Sequence, residues 1–379
     1  MRRDPRQPAS GWQITYWGDS ELNFTETYEA VELALATGAV PLIIGESGIG
    51  KTALIRHYCE EKDLHLVNID ANLLKEGEIG GLPTVEKGRT HYATHHKLAR
   101  IDELLARGDK DCLLFIDEIN RCDHAVQQEL MNLILNREIN GYFLDDRVIV
   151  ASAMNPSSRM ENFRNTEYQV VEMDPAQENR FVWFAMDADP REWILWGLND
   201  GDIHPQVIEF ISSFDEYLHA SSESEFIEAT PRSWERISHA LKVLDDSPVF
   251  SKEALYHFVK GNVGASIAQD FMSFLKENDE PFLKAVDIFA MDQLSQMAKD
   301  EITGATHSRL YILAMNLIKE MSVSASPGRA RRVSEVLLLF PRDLRISLMK
   351  EIRNLAPREV YELLLEDDLF LEAFFECFR

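Results

Sequence analysis

The sequence predicts an α/β fold, a three-layer core around a parallel sheet, followed by a remainder built of helices alone. Three observations predict it. A glycine-rich stretch, Gly45-Glu46-Ser47-Gly48-Ile49-Gly50-Lys51-Thr52, separates the apolar run "AVPLII" from the helical pattern "KTALIRHYCEEK". A second apolar run, Leu113 to Ile116, ends on the acidic pair Asp117-Glu118. Beyond residue 248 the apolar residues recur at three- and four-residue spacing, segment after segment.

The glycines come first because they are costly. Each loses more backbone entropy on folding than any other residue and adds no side chain to a core. Their use is anion capture: glycine turns let successive main-chain N–H groups point into one concavity, and the following helix start adds partial positive charge. Gly45 to Thr52 fits G-x-x-x-x-G-K-[ST] in the strand–loop–helix setting that a P-loop requires. Lys51 is then placed to reach the β- and γ-phosphates of ATP, and Thr52 to offer its hydroxyl to Mg²⁺.

The next strand is "HLVNID", His65 to Asp70, and the one after it is the apolar run of "DCLLFIDEIN", Leu113 to Ile116. A buried parallel strand reads as a continuous apolar run, and ligands gather at the carboxyl ends of such strands. Asp117 is therefore expected on the Mg²⁺, directly or through water, and Glu118 on the attacking water. The competing reading of this pair is a helix cap, since "AVQQELMNLILN" begins shortly afterwards. The strand "RVIVASAMN" ends on Asn155, a polar group expected between those two strand ends and within reach of the γ-phosphate or its water.

From these residues the chain resembles the AAA+ ATPases, and within them the MoxR family and its relatives. The matching stretches are "GESGIGKT", "LLFIDEINR", "ASAMNP", "NRF" at Asn179 to Phe181 and "ATPRSW" at Ala229 to Trp234. The resemblance spans roughly residues 25–245. It implies that Asn155 is sensor 1, that Arg180 is an arginine finger offered to a neighbouring subunit, and that Arg232 is sensor 2. Arg159 and Arg164 are rivals to Arg180. Arg232 follows Thr230 and Pro231, a sound helix start, yet a cation in a first turn opposes the helix dipole, which suits contact with a phosphate.

The resemblance also implies an organisation: an N-terminal tail (1–20), an α/β nucleotide-binding core (21–187), a helical lid (188–247) and an accessory helical domain (248–379). Two inserts fit it. "GEIGGLPTVEKGRTHYA" reads as a hairpin with an exposed Gly80-Gly81-Leu82 tip, a segment that lines the pore in relatives. "REINGYFLDDRVIV" reads as a second hairpin turning at Asn140-Gly141 or Asp145-Asp146. "SVSASPGRARR" is expected to be a loop between helices. Implied partners are further copies of the chain in a homo-hexameric ring and a protein client, for which the resemblance suggests a von Willebrand factor A-type protein.

Composition bounds the alternatives. The formal net charge of −25 argues against a general nucleic-acid surface, so a nucleic-acid motor ranks below a protein remodeller. A slow nucleotide-gated scaffold is disfavoured by the intact Glu118. No apolar run reaches the roughly 18 residues that a membrane helix needs. The N-terminus lacks the pattern of a secretory signal. Cys59, Cys112, Cys122 and Cys377 contain no CxxC and read as free thiols of a cytoplasmic protein. His91, His95 and His96 lack the spacing of a metal site. Tyr28, on a helix before the P-loop, is as suited to a core as to an adenine. The tryptophans of "FVWFAMDADPREWILWGL" are expected to pack.

Overall fold

The computed structural model describes residues 21–157, 171, 173, 175–220, 227–246, 250–278 and 282–376. The chain divides into two compact units, Met1–Asp189 and Pro190–Arg379.

The first unit holds β1 (Val40–Ile44), β2 (His65–Asp70), β5 (Cys112–Asp117), β8 (Val148–Met154) and β9 (Phe181–Ala185). These form one parallel sheet in the order β2-β5-β8-β1-β9. Alternation along each strand makes the three layers. On β5, Leu114 and Ile116 join a core with Leu98 and Ile101 of α3 (His96–Arg107) and Leu130 and Leu133 of α4 (His124–Asn136). Leu113 and Phe115 point the other way, into a core with Val31 of α1 (Phe24–Ala36) and Leu54 and Ile55 of α2 (Lys51–Glu61). Both faces of β5 are therefore covered, which is why it reads as an unbroken apolar run. Truncating fully buried Phe115 to alanine would cost about 3–5 kcal/mol. Asn23 and Glu26 close a reciprocal capping box at the head of α1.

Register puts the chemistry at one edge. Asp70 pairs with Asp117, and Ile44 pairs with Met154, so the ends of β2, β5, β1 and β8 line up. The P-loop follows β1, inside the sheet, and Asn155 follows β8 beside it.

The two inserts are both hairpins. The first, β3 (Leu82–Glu86) with β4 (Arg89–Ala93), turns at Lys87-Gly88. Gly80 and Gly81 are buried at its base, which corrects the expectation of an exposed tip there. The reason is steric: a Cβ on Gly81 would lie 2.1 Å from the Ala93 carbonyl oxygen, and its φ is +84°. The second hairpin, β6 (Glu138–Ile139) with β7 (Tyr142–Phe143), turns at Asn140-Gly141, both at positive φ. Asn140 Nδ2 donates to the Gly80 carbonyl at 3.0 Å, joining one hairpin to the other.

The second unit is helical through α6 (Pro190–Asn199), α7 (Pro205–Ser213), α8 (Pro231–Asp246), α9 (Lys252–Val263), α10 (Ala265–Glu277), α11 (Ala285–Ala290), α12 (Gln296–Gly304), α13 (His307–Val323), α14 (Pro327–Leu337), α15 (Arg342–Leu355), α16 (Arg358–Leu365) and α17 (Asp368–Glu376). Phe210 of α7 packs on Trp234 of α8 and Phe271 of α10, with ring centroids 5.4 and 5.0 Å away. The stretch "PGRARR" is helical rather than a loop. Ser326 caps α14 by accepting from the Arg329 N–H, and Pro327 occupies its first turn. Its arginines serve the fold: Arg329 lies over the Phe289 ring, Arg331 approaches Asp367, and Arg332 donates to the Asp292 carbonyl.

Candidate active site

The head of α2 is shaped as a cup. Gly48 and Gly50 take φ of +88° and +113°, the left-handed region open to glycine at little cost. Gly45 is needed for room, because a Cβ there would meet Ile49 Cδ1 at 2.3 Å and the Met186 carbonyl oxygen at 2.6 Å. The N-cap of α2 is Gly50, which makes no side-chain capping bond, so the helix start keeps its positive end toward the loop. Ile49 drives its side chain into the core with Leu54 and Ile55, leaving its main chain for a ligand. Glu46 is half-buried and Ser47 exposed on the rim.

Five polar residues converge on this cup. Lys51, only 7% exposed, donates through Nζ to the carbonyls of Gly45 (2.6 Å) and Glu46 (2.8 Å) and to Asn155 Oδ1 (3.1 Å). Asn155 Nδ2 reaches Glu118 Oε1 at 3.5 Å. Thr52 Oγ1 donates to Asp117 Oδ2 at 2.7 Å, and the Glu118 N–H donates to Asp117 Oδ1 at 3.0 Å. The cradle and the donor set fit a nucleotide with its metal. Oxygen ligands from a hydroxyl and a carboxylate suit Mg²⁺, and glycines with an uncapped helix start suit a polyphosphate.

Three residues not singled out by the sequence reading belong to the same site. Asn120, 3% exposed, clamps the main chain of Asn155: its Nδ2 donates to the Asn155 carbonyl at 2.8 Å, and its Oδ1 accepts from the Asn155 N–H at 3.3 Å. Arg121 places Nη1 at 3.1 and 3.3 Å from the two carboxylate oxygens of Glu118. Asp70 ends β2 beside Asp117; burial, then the charges of Glu118 and Asp117, pushes its carboxyl above the usual range. Asp70 carried the signal used for Asp117 and Asn155, a polar residue closing an apolar strand. Asn120 and Arg121 carried only their place in the "DEINR" run.

Arg180 lies apart from this cluster. Arg180 is exposed in the turn after α5 (Pro175–Glu178), immediately before β9. Val40 pairs with Phe181, so Arg180 sits at the start of the parallel β1–β9 pair, while the P-loop follows its other end. The pairing runs from Val40–Phe181 to Ile44–Ala185, four strand steps or about 13 Å along the sheet. Arg159 and Arg164 lie outside the described residues. Arg232, in the second unit, is exposed in the first turn of α8. Thr230 Oγ1 accepts from the Ser233 N–H there, and Pro231 is the first helical residue. Tyr28 donates to Glu61 and stands beside the rings of His57 and Tyr58. Trp183 donates to the Glu178 carbonyl and Trp193 is buried.

Residues 41–181 match the family described as AAA domain (dynein-related subfamily). A curated relative from Thauera aromatica, described as "Putative chaperone BssE", is 28% identical over 159 residues, 40% of this chain and 51% of its own. The chain thus spans about half the length of that relative. Among solved structures, the RuvB Holliday junction branch migration motor of Thermotoga maritima is 15% identical with a TM-score of 0.36, over 70% of this chain and 74% of its own. A protein from Cytophaga hutchinsonii described as a "putative ATPase" is 14% identical with a TM-score of 0.32, over 65% of this chain and 88% of its own.

Proposed function

From the match of residues 41–181 to the AAA domain of the dynein-related subfamily, we propose that this chain is a MoxR-like, Mg²⁺-dependent ATPase that works as a ring and remodels a protein partner. The observation that carries the chemistry is the chain of contacts Lys51–Asn155–Glu118 beside Thr52–Asp117. Main-chain amides from Gly45 to Thr52 and the Lys51 ammonium hold the triphosphate of ATP. Thr52 and Asp117 would hold Mg²⁺, which would supply charge neutralisation to the phosphates. Glu118 accepts a proton from the attacking water as its oxygen bonds to the γ-phosphorus. The bond to the bridging oxygen breaks, leaving ADP and phosphate. Asn155 steadies that water or the γ-phosphate from the far side.

Arg180 supports the ring reading, because it stands at the opposite end of the sheet from its own P-loop. In a ring it faces a neighbour's γ-phosphate and stabilises charge there. Arg232, in a lid of residues 188–247, serves as sensor 2, and residues 248–379 form the accessory domain. A protein client fits the net charge of −25 and the hairpin side chains Leu82, Val85 and Phe143, each more than two-thirds exposed. A partner with a von Willebrand factor A-type domain follows from the MoxR resemblance. A cytoplasmic place fits the buried free thiols of Cys59, Cys112 and Cys122; burial raises Cys59 to about 12 and Cys122 to about 11. Cys377 lies outside the described residues. Among the described residues no helix is long and apolar enough to cross a membrane.

The test is calorimetry of ATP with and without Mg²⁺, alongside phosphate release by the wild type and by Glu118→Gln. Binding by both proteins with turnover lost in Glu118→Gln is expected. A wild type with no affinity for ATP and Mg²⁺ would overturn the reading.

A further inference from the structure

We propose that the outer edge of β2, with the face of α3 beside it, is a docking groove for an extended acidic segment of a partner protein, which adds to the sheet as a further strand. The groove runs along His65 to Asn68, the half of β2 away from Asp117 and the nucleotide cup.

Among the described residues β2 is the edge strand of the five-stranded sheet. Parallel pairing turns alternate residues toward and away from a neighbouring strand. The His65 N–H donates to the Asp111 carbonyl at 2.9 Å, so His65 and Val67 face β5. Leu66 and Asn68 therefore turn their N–H and C=O groups outward, as a template for another strand. Asn68 also leaves its side-chain Oδ1 buried without a partner among the described residues. A buried acceptor in that state calls for a donor, and a peptide main chain brings N–H groups where a bare carboxylate brings none.

The wall of the groove and its charge come from α3. Lys97, Arg100 and Leu104 recur at spacings of three and four, so they share one stripe of the helix, and they line a groove of about 260 Å³ with the start of β2. Leu104 belongs to the core beneath, which fixes the stripe against the sheet. No carboxylate lines the groove, although the chain carries 64 acidic residues against 39 basic ones. Two acids stand outside it: Arg100 Nη1 donates to Glu103 Oε2 at 3.0 Å, and His65 Nε2 lies 3.2 Å from Asp109. The Arg100–Glu103 pair is exposed on both sides, so it contributes little and an incoming carboxylate replaces Glu103 at small cost. A positive groove on an acidic molecule selects an acidic segment. Side chains of a strand alternate between faces, so every second residue of the added strand falls on the α3 side. Main-chain bonds to the edge then supply affinity, and acids two positions apart supply specificity.

The test is calorimetry of the full chain, without nucleotide, against two capped peptides of about eight residues, an ordinary strand length. One alternates glutamate and valine, and the other alternates lysine and valine. The glutamate peptide should bind saturably at one site, less tightly as salt is raised, and the lysine peptide should not bind. Lys97→Ala should weaken binding about two- to fivefold, and Lys97→Glu combined with Arg100→Glu should abolish it in a protein that melts normally. Two further glutamate peptides carry N-methyl groups at alternate residues, one in each frame. Methylation in the frame that faces β2 removes the donors and should abolish binding, whereas the other frame should keep it. Hydrogen exchange should slow in residues 64–69 when the glutamate peptide is bound. No binding, equal binding of both charge types, or methylated frames that behave alike would overturn the proposal and leave Lys97 and Arg100 as charges that keep the edge from pairing. These outcomes involve no ATP, so the ATPase reading stands or falls separately.

Discussion

Lys51 Nζ donates to the side-chain oxygen of Asn155 at 3.1 Å, across 104 positions of sequence. The same ammonium is held by the carbonyls of Gly45 and Glu46, so it is aimed at the loop before any phosphate arrives. Lys51→Ala removes the cation from the cup and leaves the glycine turns in place. Hydrogen bonds to charged groups contribute about 1.5–3 kcal/mol, so ATP affinity should fall by roughly ten- to a hundredfold or more. Calorimetry with Mg²⁺ reads this directly. Affinity within twofold of wild type would remove Lys51 from the phosphate site.

Asn120 is the second half of that relationship, since it fixes the main chain from which Asn155 extends. Asn120→Ala leaves the buried N–H and carbonyl of Asn155 without their side-chain partner. An unsatisfied buried group costs about 1–3 kcal/mol, which lowers Tm by several degrees in a unit of this size. The rate should fall further than the affinity if Asn155 acts as proposed, because it loses its register while Lys51 and the glycines stay. Calorimetric melting with a kcat and KM comparison checks both. A variant with unchanged Tm and unchanged kcat would show the clamp to be idle.

Much of this core was legible in advance, and the reason is local. Residues 45–52 carry their geometry in composition, because only glycines accept the φ values found at Gly48 and Gly50. Apolar runs closed by Asp117 and Asn155 announced strand ends, and both residues reach the cup. What was misread depended on approach rather than on pattern. Gly80 and Gly81 looked like a turn, but Gly81 is glycine because the chain crosses the Ala93 carbonyl there. "PGRARR" looked like a loop, but Ser326 and Pro327 start a helix whose arginines find partners on other elements. The Arg121–Glu118 pair was hidden because it depends on a positive φ at a residue that is not glycine.

Arg180 is tested by mixing. It is exposed at the sheet end away from its own P-loop, so its loss should leave ATP binding intact and cut turnover. Removing one transition-state donor to a developing anion costs about 10²–10³ in rate. Combining Arg180→Ala with Lys51→Ala should restore part of the activity, since each subunit type supplies what the other lacks. Intact assembly with no rescue at any mixing ratio would exclude Arg180 as the finger.

The joint between the hairpins gives a structural prediction. Asn140→Ala removes the hydrogen bond to Gly80 and should raise amide exchange in residues 78–93 while the sheet core keeps its protection. Gly81→Ala should do more, because its Cβ collides with main chain rather than with a movable side chain. Hydrogen exchange resolved by peptide separates the two. Equal protection of the first hairpin in wild type and Asn140→Ala would show that the hairpins are independent.

His95 makes the unit sensitive to acid. Its Nδ1 accepts from the Lys97 N–H at 3.4 Å, capping α3, and its Nε2 is buried without a partner among the described residues. Burial, with the neighbouring His96 charge behind it, holds its pKa below the ordinary 6.5. The folded protein therefore binds this proton more weakly than the unfolded chain. Stability from this group is complete above about pH 6.5 and is lost as pH falls from there toward the lower folded value, since the unfolded chain takes up the proton first. His95→Asn keeps an oxygen that can cap α3 and removes the titration. Its Tm should match or exceed that of wild type at pH 8, and the advantage should widen as pH is lowered to 5. Parallel melting curves across that range would mean that His95 takes up its proton in the folded state as readily as in the unfolded one.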